Sequence, residues 1–325
     1  MKVIIPLAGL GTRLRPQTHT RPKPLVNVAG KPVLGHILDR LQGLDIEEII
    51  FIVGYLGEQI EEYVEANYNF PARYVEQKEP KGQAHAIHLA RDYIDAPVLI
   101  IFIDTIFETD LRYLDQVTAD GVIYVKEVED PSRFGVALLQ DGVITRLIEK
   151  PSTPVSNLAV IGLYYVRNWP LLLDCVQVVI EQDIKTKGEY FLADAFQLMI
   201  DRGARLEAIP VEVWEDCGKP ETLLKTNRYL LANGRGQVRR TEDSIVISPV
   251  YIAPSATIRN SIIGPYVSVA DEAVIVNAII KDSIINEGAH IENAMLNLSI
   301  IGKDAQVRGA FERLNVGDSS QVDLG

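Results

Sequence analysis

Short runs of branched aliphatic residues alternate with amphipathic stretches along residues 1–230. Residues 3–6, 48–53, 98–103 and 122–125 are apolar and rich in Val and Ile, the pattern of strands buried on both faces. Residues 33–44, 57–68 and 83–93 carry apolar side chains at three- and four-residue spacing and are predicted as helices. Strand, helix and strand in succession predict an α/β fold built on a doubly wound, mostly parallel sheet. Ligands of such sheets sit beyond the carboxyl ends of the strands, so chemistry is expected in the loops after Pro6 and Ile103.

The texture changes after Leu231. Ala232-Asn233-Gly234-Arg235-Gly236 has the composition of a linker, and a short repeat follows it. Residues 252–260 align with 269–277, 285–293 and 301–309, and the alanine at the centre of each unit moves from Ala256 to Ala273, Ala289 and Ala305. Those steps are 17, 16 and 16 residues. Within each unit an aliphatic residue recurs every five or six positions, which predicts three short strands per turn of a parallel β-helix. The pattern resembles the hexapeptide left-handed β-helix family. Two domains are therefore expected, 1–232 and 245–325.

A length of 325 residues agrees, because it exceeds the usual size of one hydrophobic core. Cys175 and Cys217 are the only cysteines and lack metal-ligand spacing, which argues against a disulfide framework and suits a reducing cytoplasm. No apolar run reaches the roughly 18 residues of a membrane span, and the opening Met1-Lys2-Val3-Ile4-Ile5 reads as a first strand rather than a signal peptide. A net charge of −12 speaks against general nucleic-acid binding. Its distribution says more than its sum. No Asp or Glu occurs before Asp39, whereas Lys2, Arg13, Arg15, Arg21, Lys23 and Lys31 do, the pattern of a local anion site.

Inside that segment, Leu7-Ala8-Gly9-Leu10-Gly11-Thr12-Arg13-Leu14 follows the first strand directly. Two glycines let a backbone approach an anion and present N–H groups to it, and Arg13 adds a fixed charge. Leu14 stands where a dinucleotide fingerprint has its third glycine, and there is no Gly-Lys-Ser/Thr ending of a P-loop. Pro16, Pro22 and Pro24 keep a regular helix from following, so the segment reads as an extended phosphate loop returning through Arg21-Pro22-Lys23-Pro24-Leu25.

Gly9-Leu10-Gly11-Thr12-Arg13-Leu14 followed by Pro22-Lys23-Pro24-Leu25 resembles the signature of the sugar nucleotidyltransferases. The nearest branch is similar to the glucose-1-phosphate thymidylyltransferases, in a long form with a carboxy-terminal left-handed β-helix. The resemblance covers residues 1–230 and implies a Rossmann-like nucleotidyltransferase domain. It implies that Arg13 and Lys23 grip a triphosphate, with Leu7, Ala8, Gly9, Gly11 and Thr12 lining the nucleotide. Gln77-Lys78-Glu79-Pro80-Lys81-Gly82 is similar to the family's base-recognition loop, with Gln77 at the edge of a pyrimidine and Gly82 beneath the ring. Asp104 and Asp216 match the carboxylates that hold Mg²⁺, a hard cation suited to oxygen ligands. Gly135, Glu149, Lys150, Val160, Tyr164 and Lys187 match the sugar-phosphate positions.

Two departures are visible. Ile103 precedes Asp104 where the family usually has glycine, and Lys187 stands where arginine is common, keeping the charge but losing a bidentate fork. The expected partners are a nucleoside triphosphate, dTTP or UTP, a sugar 1-phosphate and further copies of the chain. The choice of pyrimidine and of hexose stays open. Two rivals remain: acyl transfer on the β-helix, whose repeat holds the single histidine His290, and a regulatory homologue that binds a nucleotide sugar without turnover.

Overall fold

The structure is a computed structural model that describes residues 1–309 apart from 154, 240 and 242; the final coil or tail expected over 311–325 lies outside the described residues. The chain forms two units, Met1–Asn27 with Lys31–Thr226, and Val28–Gly30 with Asn227–Gly325.

The first unit opens with strand β1 (Lys2–Pro6), the short hairpin strands β2 (Asn27–Val28) and β3 (Lys31–Pro32), and helix α1 (Val33–Leu41). Next come β4 (Glu48–Val53), α2 (Gly57–Asn67), β5 (Ala72–Glu76), α3 (Gln83–Leu89), β6 (Val98–Ile101) and β7 (Thr105–Glu108). The series continues with β8 (Gly121–Glu127), β9 (Gly135–Gln140), β10 (Val143–Glu149) and β11 (Leu158–Val166). It closes with α4 (Trp169–Glu181), α5 (Leu192–Asp201), β12 (Leu206–Pro210), β13 (Val213–Asp216) and the start of α6 (Pro220–Leu230), whose residues from Asn227 onward belong to the second unit.

Nine strands make one sheet in the order β5-β4-β1-β6-β11-β8-β12-β10-β9. Its first four strands are the parallel, doubly wound half: Ile4 lies between Ile50 and Ile100, and Ile49 pairs Ala72. β11 then runs antiparallel between β6 and β8, and the β9–β10 hairpin completes the far edge. Ile4, Ile50, Ile52 and Ile100 are wholly buried, each stabilising the fold by about 1.5–3 kcal/mol relative to exposure.

Two element ends differ from the sequence expectation for local reasons. α1 stops at Leu41 because Gln42 turns extended and Gly43 takes a φ of 84°. β6 ends at Ile101; the Phe102 amide still donates to Gly162 O on β11 (2.8 Å), and the regular pairing stops there, where Gly162 takes a φ of 81°. The expected linker is a closing turn over Leu231–Arg235, with Gly234 at a φ of 91°.

The second unit carries three parallel sheets of four short strands each, the arrangement of a left-handed β-helix. Val269 pairs with Ile285 and Ile285 with Ile301, while Ile258, Ile275, Ile291 and Val307 stack in another file. These pairings reproduce the repeat spacing read from the sequence, and Ala273 and Ala289 are fully buried. The tip of the β2–β3 hairpin belongs to this unit: the Ala29 amide donates to Asn227 Oδ1 (2.8 Å), and Asn227 Nδ2 donates to Tyr266 O (3.1 Å). No helix among the described residues is long and apolar enough to cross a membrane.

Candidate active site

Two adjoining cavities, of about 360 and 410 Å³, open beyond the carboxyl ends of β1 and β6 and share Gly9, Gly11, Thr12, Lys23 and Asp104 as a common wall. Most of that wall is the loop after β1, joined by Asp104 from beyond β6. Among the described residues the amides of Gly9, Leu10 and Gly11 donate no hydrogen bond, so their N–H groups are available to an anion. A Cβ on Gly9 would meet nothing within 4 Å, whereas one on Gly11 would stand 2.9 Å from Lys23 Cβ. Gly11 also needs glycine for its φ of 61°, and its carbonyl accepts from Thr18 Oγ1 (2.8 Å). The close approach of Lys23 to Gly11 is what folds the returning limb onto the glycine loop. Arg13 is exposed, lines the smaller cavity, and makes no hydrogen bond or ion pair among the described residues.

The acid-free opening segment does not act as one site. Lys2 Nζ lies 2.6 Å from Asp95 and near Glu47 and Glu48, and Lys31 pairs with Asp39 at 2.7 Å. Carboxylates from elsewhere in the chain neutralise both, leaving Arg13 and Lys23 at the cavities.

Asp104 and Asp216 are brought together by a two-stranded ribbon. β7 pairs antiparallel with β13, Thr105 faces Asp216, and the Cys217 amide donates to Asp104 O (2.8 Å). Lys23 Nζ stands 3.8 Å from Asp104 Oδ2. Asp216 Oδ1 accepts from the Gly218 amide (2.6 Å), and buried Thr226 of α6 donates to the Asp216 carbonyl (2.9 Å), fixing the strand end. No group of three or more His, Cys, Asp or Glu suited to a metal occurs among the described residues. Two carboxylates are nevertheless the donor set that suits Mg²⁺, which keeps waters and takes phosphate oxygens from its substrate. Cys217 lies between these groups, but burial pushes its thiol up to about 12, so it stays protonated and is no nucleophile near neutral pH.

The smaller cavity continues over Gly135, Glu149, Lys150, Val160 and Tyr164. A bulge in β11 shapes its floor: between the pairs Val160–Val125 and Tyr164–Ile123, four steps of β11 oppose two of β8, and Gly162 absorbs the bend at a φ of 81°. Gly135 leaves room for the Glu149 carboxylate, whose Oε2 would lie 2.9 Å from an added Cβ. Burial pushes the Glu149 carboxyl above its ordinary value, opposed by the Lys150 ammonium 3.2 Å away. Lys150 Nζ also sits 4.8 Å above the Phe191 ring. Lys187 is not part of the cavity wall; its Nζ donates to the Lys150 carbonyl (3.1 Å) from outside it. Lys150 and Lys187 have φ values of 43° and 51°, a left-handed conformation that costs a non-glycine residue about 1 kcal/mol or more.

The larger cavity holds Leu7, Ala8, Gln77 and Gly82. Gly82 (φ 116°) packs where a Cβ would lie 2.6 Å from Tyr190 O, and the flanking bonds Ala84 N to Tyr190 O (2.9 Å) and Tyr190 N to Lys81 O (3.0 Å) stitch this loop down. Gln77 is buried, and its Nε2 lies 3.3 Å from Gly82 O and 2.9 Å from His85 Nδ1. Ile103, the departure noted above, lines this cavity and not the smaller one.

Sequence reasoning missed Arg133, Thr105, Trp214 and Lys219, all on the wall of the smaller cavity. Arg133 stands two residues before Gly135 and lies over the Phe134 ring (5.5 Å), which packs edge-on against Trp214. Lys219 follows Asp216 by three residues. A charge so close in sequence to Asp216 was the available signal.

Comparison with known proteins follows the same outline. Residues 2–233 match the family model described as nucleotidyl transferase. The chain is 36% identical over 230 residues to the UTP–glucose-1-phosphate uridylyltransferase AglF of Haloferax volcanii, covering 68% of this chain and 93% of that protein. It is 30% identical over 319 residues to a glucose-1-phosphate thymidylyltransferase of Streptomyces griseus, covering 90% and 88%. Among solved structures, a UDP-glucose pyrophosphorylase complexed with UDP-glucose superposes with a TM-score of 0.62 at 25% identity, over 71% of this chain and 98% of the other.

Proposed function

The chain belongs to the nucleotidyl transferase family, and from that premise we propose that it is a magnesium-dependent sugar-1-phosphate nucleotidyltransferase. It takes the nucleotidyl group of dTTP or UTP to a hexose 1-phosphate, of which glucose 1-phosphate is the first candidate, and releases pyrophosphate. The observation that carries this reading is the meeting of two cavities of ligand size at the glycine loop, Lys23 and Asp104, with Arg13 and Asp216 on the wall of the smaller one and the loop amides of Gly9, Leu10 and Gly11 unused by any acceptor among the described residues.

The nucleophile is an oxygen of the sugar phosphate, which loses its second proton near pH ~6 and needs no general base. It attacks the α-phosphorus, the bond from that phosphorus to the β-phosphate bridge breaks, and pyrophosphate departs with the bridging electrons. Two polyanions have to be aligned, so positioning and charge neutralisation dominate. Arg13 and Lys23 hold the triphosphate and its leaving group, Lys150 aligns the sugar phosphate, and Glu149 receives sugar hydroxyls. Gly135, Val160 and Tyr164 shape the space around the hexose, and Lys187 supports Lys150 through its carbonyl. Asp104 and Asp216 would hold Mg²⁺, which neutralises charge on the phosphates when bound.

Gln77 sets uracil and thymine apart from cytosine. The Gly82 carbonyl can only accept, so Gln77 turns its nitrogen toward Gly82 and leaves Oε1 for the base. Uracil and thymine offer N3–H to that oxygen; cytosine offers a lone pair there. The β-helix is proposed to assemble copies of the chain, supported by an outward file of Ile245, Ile279 and Met295, which are 59, 43 and 79% exposed. Two buried thiols suit the reducing cytoplasm in which this reading sets the enzyme. Pyrophosphate release from a matrix of four triphosphates and common hexose and hexosamine 1-phosphates, with Mg²⁺ or chelator, tests the function. No release from any pair would leave only a binding protein.

A further inference from the structure

The amide nitrogen of Gln77 has two partners within hydrogen-bond distance, Gly82 O at 3.3 Å and His85 Nδ1 at 2.9 Å. Because the carbonyl of Gly82 fixes which end is nitrogen, Nδ1 of His85 has to be the acceptor and carries no proton. His85 is thus the neutral tautomer with its hydrogen on Nε2. Gln77 Oε1 accepts nothing from the described residues, and Gln77 lines the larger cavity whereas His85 does not.

One torsion decides what this side chain offers. The terminal torsion of glutamine is broad and roughly two-fold, so the amide turns over easily unless both ends are tied. A bond of 3.3 Å to Gly82 is at the long end of the useful range and is a weak lock by itself. Turned over, the amide would present N–H groups to the base and match the N3 lone pair of cytosine instead of N3–H of uracil or thymine. We propose that neutral His85 is a positioning residue that sets base specificity by locking the Gln77 amide with its oxygen toward the nucleotide. This rests on the reading of Gln77 as the base contact. The surroundings favour the neutral ring: burial, Lys81 and His88 oppose its protonation, and Glu79 favours it.

The test uses the full chain with glucose 1-phosphate and compares kcat/KM for UTP and dTTP with that for CTP. His85→Leu, which cannot accept, lowers this ratio by about tenfold, the scale of one specific hydrogen bond. His85→Lys, a donor only, lowers it further. His85→Gln, able to accept through its own oxygen, restores it to within about threefold. A side chain that merely fills space would slow all three nucleotides alike, and an unchanged ratio in His85→Leu overturns the proposal. Gln77→Leu separates the two layers. If it collapses the ratio while His85→Leu does not, the role of His85 falls alone; if it leaves the ratio intact, the base reading falls and takes this proposal with it. A measurement on the unsubstituted protein stands apart from folding of the variants: ¹⁵N NMR should find His85 Nδ1 unprotonated, and a proton on that nitrogen overturns the proposal.

Discussion

Replacing Asp104 with asparagine keeps the shape of the side chain and removes its charge, so it tests whether this carboxylate serves the fold or the reaction. Its side chain is 57% exposed, and its ion partner Lys23 stands 3.8 Å away. A pair this long, with its carboxylate largely exposed, contributes under ~1 kcal/mol. For a unit of this size that corresponds to a melting shift of no more than about 2–4 °C. Catalysis is another matter. Removing one main electrostatic stabiliser of a phosphoryl transition state costs about 2.7–4 kcal/mol, a factor of about 100–1,000 in kcat. The two magnitudes differ enough to be told apart. Asp104→Asn should therefore melt within about 4 °C of the unsubstituted protein while its pyrophosphate release falls at least ~100-fold at saturating nucleotide. A titration with Mg²⁺ should show a weakened metal dependence rather than full recovery. Turnover within tenfold of the original at saturating Mg²⁺ would remove Asp104 from the mechanism, and a collapse of stability would make it a structural residue.

Three further outcomes follow from the geometry. Gly82→Ala puts a Cβ 2.6 Å from the Tyr190 carbonyl at a φ of 116°, so calorimetry should find a destabilisation of ~1–3 kcal/mol and kinetics a raised nucleotide KM. Glu149→Gln should raise the melting temperature at neutral pH. Burial holds the folded carboxyl above its ordinary value of 4.5, so its stabilising share is complete below the unfolded pKa and is lost as pH rises through the folded one. The gain should vanish near pH ~4, turnover should fall at neutral pH, and equal melting curves throughout would deny that Glu149 is strained. Ile279→Glu with Met295→Glu places charge on the outward file of the β-helix and should lower the mass seen by light scattering; an unchanged mass separates assembly from that face.

What the sequence made legible is what local pattern encodes. The strand over 48–53 was read residue for residue, because a buried parallel strand is a continuous aliphatic run bounded by polar residues. The β-helix was legible for a similar reason: its partners are its own repeats, so Ile285 pairs with Ile301 sixteen residues on. Partners without a fixed interval were not. Nothing local to 158–166 says that this strand inserts antiparallel between β6 and β8, or that its bulge makes the cavity floor. The same limit misread Lys2, whose neutralising Asp95 is distant in sequence, and hid His85, which along the chain is only one polar residue of an amphipathic helix. The glycine loop stood out because two glycines and a charge directly after a strand are a local feature, whereas Lys23, Asp104 and Asp216 were picked out by the family resemblance; the structure draws them into one cleft.

Gly9 and Gly11 show how the demand of a fold can be separated from the demand of a ligand. Gly11 is required by the protein itself: its φ is 61°, and a Cβ would press on Lys23 at 2.9 Å, so Gly11→Ala should destabilise by ~1–2 kcal/mol. Gly9 has no such need. A Cβ there meets nothing within 4 Å, its φ is not left-handed, and alanine should leave the fold unchanged or stabilise it by ~0.4–1 kcal/mol through the unfolded chain. Yet Gly9 stands on the wall common to both cavities, with an amide that no acceptor among the described residues uses. Empty space next to unpaired donors is the imprint of a group that approaches from outside the chain. Gly9→Ala should accordingly melt no lower than the parent while losing turnover and triphosphate affinity. If it binds and turns over the nucleotide as before, the phosphates do not approach this loop, and the cavities need another explanation.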